Sequence, residues 1–189
     1  MKKGKLLVIV LVVINIAIFF SEHNKPKIKA ENIYSNKSIY DFLENEENRN
    51  DVYGAAIKLN QGTSENTCVY FISEVLRRNN FEIPKETSNT TQILSLLKEE
   101  GFTKQSNYKN LMPGDICFTT SESGSKEGIP SHTYIFMRWV KEGSFDYAYI
   151  CDNQAKDYKG KVYHIRNIKV IDKANGFQKD AFAFFMKKV

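Results

Sequence analysis

Cys68, His132 and an acid or amide at Asp152 or Asn153 are the side chains whose types and order could carry nucleophilic chemistry. A thiol becomes a nucleophile when it is held as thiolate, which a helix N-terminus and a neighbouring imidazole both favour. Cys68 opens an apolar helical pattern, so its thiol falls near the first turn. The plainer reading of an isolated cysteine is a small buried apolar residue. His132 follows a polar loop and opens a strand, where it could take the thiol proton, or else be a surface loop residue. A third group must orient the imidazole. The alternation Ala148, Ile150, Asp152 places Asp152 on an apolar-facing side and Asn153 on the other, which favours Asp152 over Asn153, although Asp-Asn is also ordinary turn chemistry. Cys117 and Cys151 fall within strands with no comparable activation, His23 precedes the folded body, and His164 sits in a late basic strand.

The elements that must position these groups can be read from periodicity. Apolar residues at 68, 71, 72, 75 and 76 give a helix ending at Arg77-Arg78-Asn79-Asn80, and a second runs from Thr90 to Glu100 with Gly101 as its stop. Shorter helices fit Ser38–Glu47 and Asp51–Leu59. After Pro113-Gly114 the period becomes that of strands, over Asp115–Thr120, Thr133–Val140, Tyr147–Asp152, Lys161–Ile165 and Ala181–Met186. Helices first and an antiparallel sheet second describe an α+β domain with N-terminal helices packed on one side of the sheet.

The chain has 189 residues and a formal charge of +5. Residues 1–30 hold six lysines against one acid, Glu22, which is the whole of that excess; the other 21 basic and 21 acidic residues cancel. Within the neutral body, residues 31–100 are acidic and residues 153–189 basic, a split that solvated surfaces alone can produce. No zinc-finger spacing, RNA-recognition signature or basic helix supports nucleic-acid binding. Lys2, Lys3 and Lys5 precede the apolar run Leu6–Phe20, interrupted only by Asn15, which reads as a signal peptide or membrane anchor over residues 1–21. Cleavage would fall best at Ile28-Lys29-Ala30, an imperfect site far from the run. Residues 22–50 then read as a polar stalk and 51–189 as the domain, placed outside the cytoplasmic membrane. Three cysteines at wide spacing do not make a disulfide framework, and the cysteines and histidines lack the spacing of a zinc site, so no metal or cofactor is expected.

Cys68-Val69-Tyr70-Phe71-Ile72, then Ile83-Pro84, Gln92, Gly101, Leu111-Met112-Pro113-Gly114-Asp115-Ile116, and Pro130-Ser131-His132 follow one another in an order that resembles the NlpC/P60 cysteine peptidases and the related CHAP amidases, over about residues 50 to 153. The resemblance implies a papain-like fold and a thiol hydrolase of peptide or amide bonds in cell-wall peptidoglycan. Cys68 is then the nucleophile, His132 the base and Asp152 the third residue, with Tyr53, just before Gly54, as a substrate contact unless it is a core aromatic. The expected partners are a peptidoglycan or peptide substrate and, through the N-terminal segment, the membrane, for a monomeric protein that binds no nucleic acid. Thr67, Val69, Tyr70, Thr133 and Tyr134 depart from the pattern; the third residue is often His in NlpC/P60 enzymes and Glu or Asn in CHAP domains. Two alternatives follow: a catalytically inactive wall- or partner-binding module on the same fold, and an acyltransferase that resolves the same thioester with an amine.

Overall fold

The computed structural model describes residues 36–122 and 125–188. Helix α1 (Asn36–Glu44) and helix α2 (Glu46–Leu59) meet at Asn45, whose side chain accepts hydrogen bonds from the Glu47 and Asn48 N–H groups at 2.8 and 3.3 Å. Glu46 and Glu47 lie in the first turn of α2, where acids complement the helix dipole. Arg49 reaches back to donate to the Leu43 and Glu44 carbonyls, closing the end of α1. Ile39 and Leu43 on α1 and Val52 and Ala56 on α2, each pair four residues apart, are fully buried.

These helices correct the expectation of a polar stalk over residues 22–50. From Asn36 onward that segment belongs to the folded body. Its polar residues satisfy helix ends while a sparse apolar pair enters the core, so polar composition misrepresents it. Residues 22–35 and the apolar run 6–20 lie outside the described residues, among which no helix is long and apolar enough to cross a membrane.

Helix α3 (Cys68–Arg78) buries Phe71, Ile72, Val75 and Leu76. Helix α4 (Thr90–Glu99) begins with a capping box: Asn89 accepts from the Gln92 N–H at 3.0 Å while Gln92 accepts from the Asn89 N–H at 3.3 Å. Eight strands follow in the described residues: β1 (Phe102–Gln105), β2 (Ile116–Thr120), β3 (Pro130–Trp139), β4 (Tyr147–Cys151), β5 (Tyr163–Asn167), β6 (Asp172–Ala174), β7 (Phe177–Lys179) and β8 (Phe182–Lys188). Six of them form an antiparallel sheet in the order β1-β8-β2-β3-β4-β5, and β6 pairs with β7 in a separate hairpin. The α+β architecture is therefore as the periodicity indicates. The short β1 and the β6–β7 hairpin are additions too brief to show an alternating pattern.

One sheet face carries Ile116, Phe118, Ile135, Met137, Phe184 and Met186 against the four helices. The other carries Cys117, Tyr134, Phe136, Ala148, Ile150 and Phe185 in a second, smaller core. Strand alternation thus buries both faces of β2, β3 and β4. The groups singled out for chemistry emerge where this double burial ends, at the start of β3 and just after β4.

The turn into β2 locks the N-terminal helix to the sheet. Gly114 has φ of +89° and donates to the Phe136 carbonyl at 2.8 Å. Asp115 accepts from the Met112 N–H at 2.8 Å and from the Asn36 amide, and Asn36 in turn accepts from the Lys188 N–H on β8 at 3.1 Å. Burial pushes the Asp115 carboxyl up to about 6 despite these donors. A Cβ at position 114 would fall inside the Asn36 carbonyl, on a backbone conformation that L-residues avoid. Gly114→Ala should therefore destabilise the domain by about 2 kcal/mol or more, read as a shift in urea midpoint at unchanged m-value.

Candidate active site

Cys68 is the first residue of α3. Asn66, at φ of +56°, turns the chain into the helix, and the Thr67 hydroxyl donates to the Ser64 carbonyl at 2.8 Å. Helices α2 and α4 have a side-chain cap on their first N–H groups; α3 has none. No side chain caps its first-turn donors, of which the Val69 N–H meets the thiol at the positive end of the helix dipole. The Asn153 amide also donates to the Ser64 carbonyl, at 3.3 Å, tying the entry of α3 to the chain leaving β4.

His132 lies at the start of β3, opposite Thr119 of β2. That strand end is held from two sides. The Thr90 hydroxyl donates to the Pro130 carbonyl at 2.9 Å, and the Ser131 and Thr119 hydroxyls lie 2.9 Å apart in a hydrogen bond. The imidazole Nε2 is 2.9 Å from Asp152 Oδ2, just beyond β4. A carboxylate can only accept there, so Nε2 carries a proton and Nδ1 is the nitrogen left for the Cys68 thiol, with which His132 also hydrogen-bonds. The structure thus brings Cys68, His132 and Asp152 into one line, over sequence separations of 64 and 20 residues.

Charge is organised along that line. Burial pushes the Cys68 thiol up, but the hydrogen bond and charge of His132, with the Thr133 and Val69 N–H groups, outweigh it and leave the thiol below its ordinary value. Burial disfavours imidazolium at His132, yet the Asp152 hydrogen bond and the thiol bring it up to about 9. Asp152 has no exposed surface, and burial alone would raise its carboxyl. His164, the His132 hydrogen bond and the Gln154 N–H at 2.8 Å instead hold it down at about 2. The arrangement favours a thiolate–imidazolium pair backed by a carboxylate.

Other candidates fall elsewhere. Asn153 turns away from His132 to its Ser64 contact. Tyr53 is half-buried on α2 and packs against the main core, not among the residues lining the cavity at Cys68. Cys117 and Cys151 are fully buried, and burial drives both thiols well above their ordinary value. Among the described residues no cluster of His, Cys, Asp and Glu could hold a metal ion.

Sequence reasoning missed a buried layer behind Asp152. His164 Nδ1 donates to the Lys161 carbonyl at 3.1 Å, its Nε2 lies 3.8 Å from Asp152 Oδ1, and its ring stacks on Tyr158 at 3.5 Å between centroids. Arg166, two residues on, shares its face and is 2% exposed. The alternation Tyr163, His164, Ile165, Arg166 carried that signal, because His164 pairs with Ile150 and Arg166 with Ala148, both inward-facing. A cavity of about 210 Å³ opens beside Cys68 and His132, lined chiefly by polar side chains including Ser131, Gln154, Arg166 and Gln178.

Compared with protein-family profiles, curated proteins and solved structures, the chain finds no match in any of the three. The chemistry therefore rests on the geometry of the site.

An ordinary thiol is under about 1% thiolate at pH 6. At that pH Cys68 should react with iodoacetamide more than about tenfold faster than the free thiol of glutathione, and His132→Ala should remove that advantage; alkylation followed by peptide mass mapping measures both. The same groups set a stability profile. The raised His132 value adds stability that is complete below about 6.5 and is lost as pH rises through about 9. The depressed Asp152 value adds stability present above about 4 and lost as pH falls toward 2. Thermal melts across pH should fall away at both ends, and His132→Ala should flatten the alkaline limb.

Proposed function

We propose that this protein is a thiol hydrolase of the papain-like superfamily, similar to NlpC/P60 and CHAP enzymes, that cleaves peptide or amide bonds. The observation that carries this reading is the hydrogen-bonded line from Cys68 at an uncapped helix N-terminus through His132 to buried Asp152. A nucleophile helix packed against a sheet whose adjacent strands supply imidazole and carboxylate supports the superfamily assignment.

In the reaction, the Cys68 thiolate attacks the scissile carbonyl carbon, and the carbonyl π electrons move to oxygen. The first-turn N–H groups of α3, which no side chain caps, stabilise that oxyanion. As the tetrahedral intermediate collapses, the C–N bond breaks and the His132 Nδ1 proton passes to the departing amine. A water molecule, deprotonated by the now neutral His132, attacks the thioester, releasing the acid and restoring thiolate and imidazolium. Asp152 keeps the Nε2 proton in place throughout and stabilises the imidazolium. The apolar run at residues 6–20 and its flanking lysines support export, as a signal or anchor, and the resemblance to NlpC/P60 and CHAP enzymes makes cell-wall peptidoglycan the proposed substrate.

Purified peptidoglycan incubated with the protein should release new amino groups, and Cys68→Ala should abolish the release. Equal release by the variant would overturn the assignment of Cys68. Asp152→Asn should lower kcat about ten- to a hundredfold while leaving KM within about twofold. Removing the carboxylate charge lowers the imidazolium pKa, so the alkaline limit of activity should move from about 9 toward 6.5.

A further inference from the structure

Among the described residues the strands of the β6–β7 hairpin pair only with each other, outside the main sheet. Asn175 and Gly176, with φ of +50° and +83°, make its two-residue turn between the paired residues Ala174 and Phe177. Both strands are tied to the body: the Asp172 carboxylate accepts from the Asn167 N–H at 3.2 Å, and Lys179, 4% exposed, pairs with Asp157 at 2.5 Å. Phe177 stands two residues before Lys179 and shares its face of β7. The Lys179 ammonium lies 5.9 Å from the Phe177 ring centroid, so the ring is on the side turned toward Asp157. That ring is nevertheless 61% exposed.

Phe177 lines a cavity of about 490 Å³ built from three segments, 64–66, 153–157 and 175–179. This cavity adjoins the one at Cys68 and His132, since Asn66, Asn153, Gln154, Gln178 and Lys179 line both. Two strand residues, roughly 7 Å, separate Phe177 from Lys179 at the shared boundary. An extended chain with its scissile carbonyl at Cys68 therefore passes Phe177 about two to four residues away. Asn66, Asn175 and Gln178 are exposed along that path, and a primary amide both donates and accepts, as each peptide unit does. The charges of the larger cavity, Glu65, Lys156, Asp157 and Lys179, sum to zero, so it selects no charged group. Phe177 is the one hydrocarbon side chain among its described lining residues.

We propose that Phe177 is a specificity residue: the cavity beside the hairpin receives a peptide chain beyond the scissile bond, and Phe177 packs against an apolar side chain about two to four residues from the bond cleaved. The inference rests on Cys68 being the nucleophile. An apolar side chain laid on Phe177 takes hydrocarbon out of water on both partners, and a hydroxyl-bearing one in its place does not.

The test uses the full chain and peptide electrophiles that alkylate Cys68, which needs no knowledge of the natural substrate. Blocked oligoglycine peptides carry either an N-terminal chloroacetyl group or a C-terminal chloromethyl ketone, so that the chain leaves the thiol in either direction. One glycine at a time is replaced by leucine or by serine, and the rate of reaction at Cys68 is measured. The leucine-to-serine rate ratio, divided by the same ratio for glutathione, should reach about fivefold or more at a position about two to four residues from the electrophile. In Phe177→Thr, which keeps strand propensity, that ratio should fall to within about twofold of the glutathione value. Phe177→Leu should keep at least about half of the wild-type ratio. Iodoacetamide, too small to span the two cavities, should alkylate Cys68 at the same rate in the wild type and both variants, and a variant that fails this control is replaced by Phe177→Val. A reactive Cys68 with no leucine preference, with one only next to the electrophile, or with an unchanged preference in Phe177→Thr, overturns the role of Phe177 alone. A Cys68 no more reactive with iodoacetamide than glutathione overturns the hydrolase reading and this inference with it.

Discussion

Asp152 carries a negative charge with no exposed surface, and the geometry around the site is organised by the need to keep it charged. A carboxylate in that position would take up a proton if it were left alone. It is held ionised by the His132 imidazole at 2.9 Å, the Gln154 N–H at 2.8 Å and the His164 ring beyond. The first of these contacts has a further effect. By fixing a proton on Nε2 it turns Nδ1 toward Cys68, so the state of the thiol is decided by a carboxylate that does not touch it.

The elements carrying these groups are joined by polar ties at the points where packing alone would let them slide. Asn153 and Thr67 both donate to the Ser64 carbonyl, which sets the start of α3 against the end of β4. Thr90 does the same between the start of α4 and the start of β3. Apolar burial on both sheet faces supplies the cohesion, but it is non-directional. The hydrogen bonds at the strand ends supply the register that puts a thiol, an imidazole and a carboxylate in line. The start of α3 belongs to the same design, since it lacks the side-chain cap that Asn45 and Asn89 provide on α2 and α4.

The basic character of residues 153–189 also acquires a structural meaning. Two of its nine cations, Arg166 and Lys179, are interior residues that border the cavity, so the excess is more than a solvated face. Lys179 is balanced by Asp157, while Arg166 lacks an acid. The lysines of residues 1–30, which account for the formal charge, form a separate feature of the chain.

What the sequence alone determined was local. The spacing 68, 71, 72, 75, 76 placed Cys68 at the head of a helix, the shift to alternation after Gly114 marked the central strands, and side-chain parity along β4 separated Asp152 from Asn153. Each of these depends on periods of 3.6 or 2 residues that are visible within one element. Only the tertiary structure decided that His132 meets Cys68, that His164 and Arg166 stand behind the site, that Tyr53 stays in the core, and that residues 36–50 fold with the domain. Those outcomes depend on strand order and on which helix packs against which strand. They are set by burial summed over the whole chain and by hydrogen bonds between residues tens of positions apart, and no periodic pattern within a single element records them.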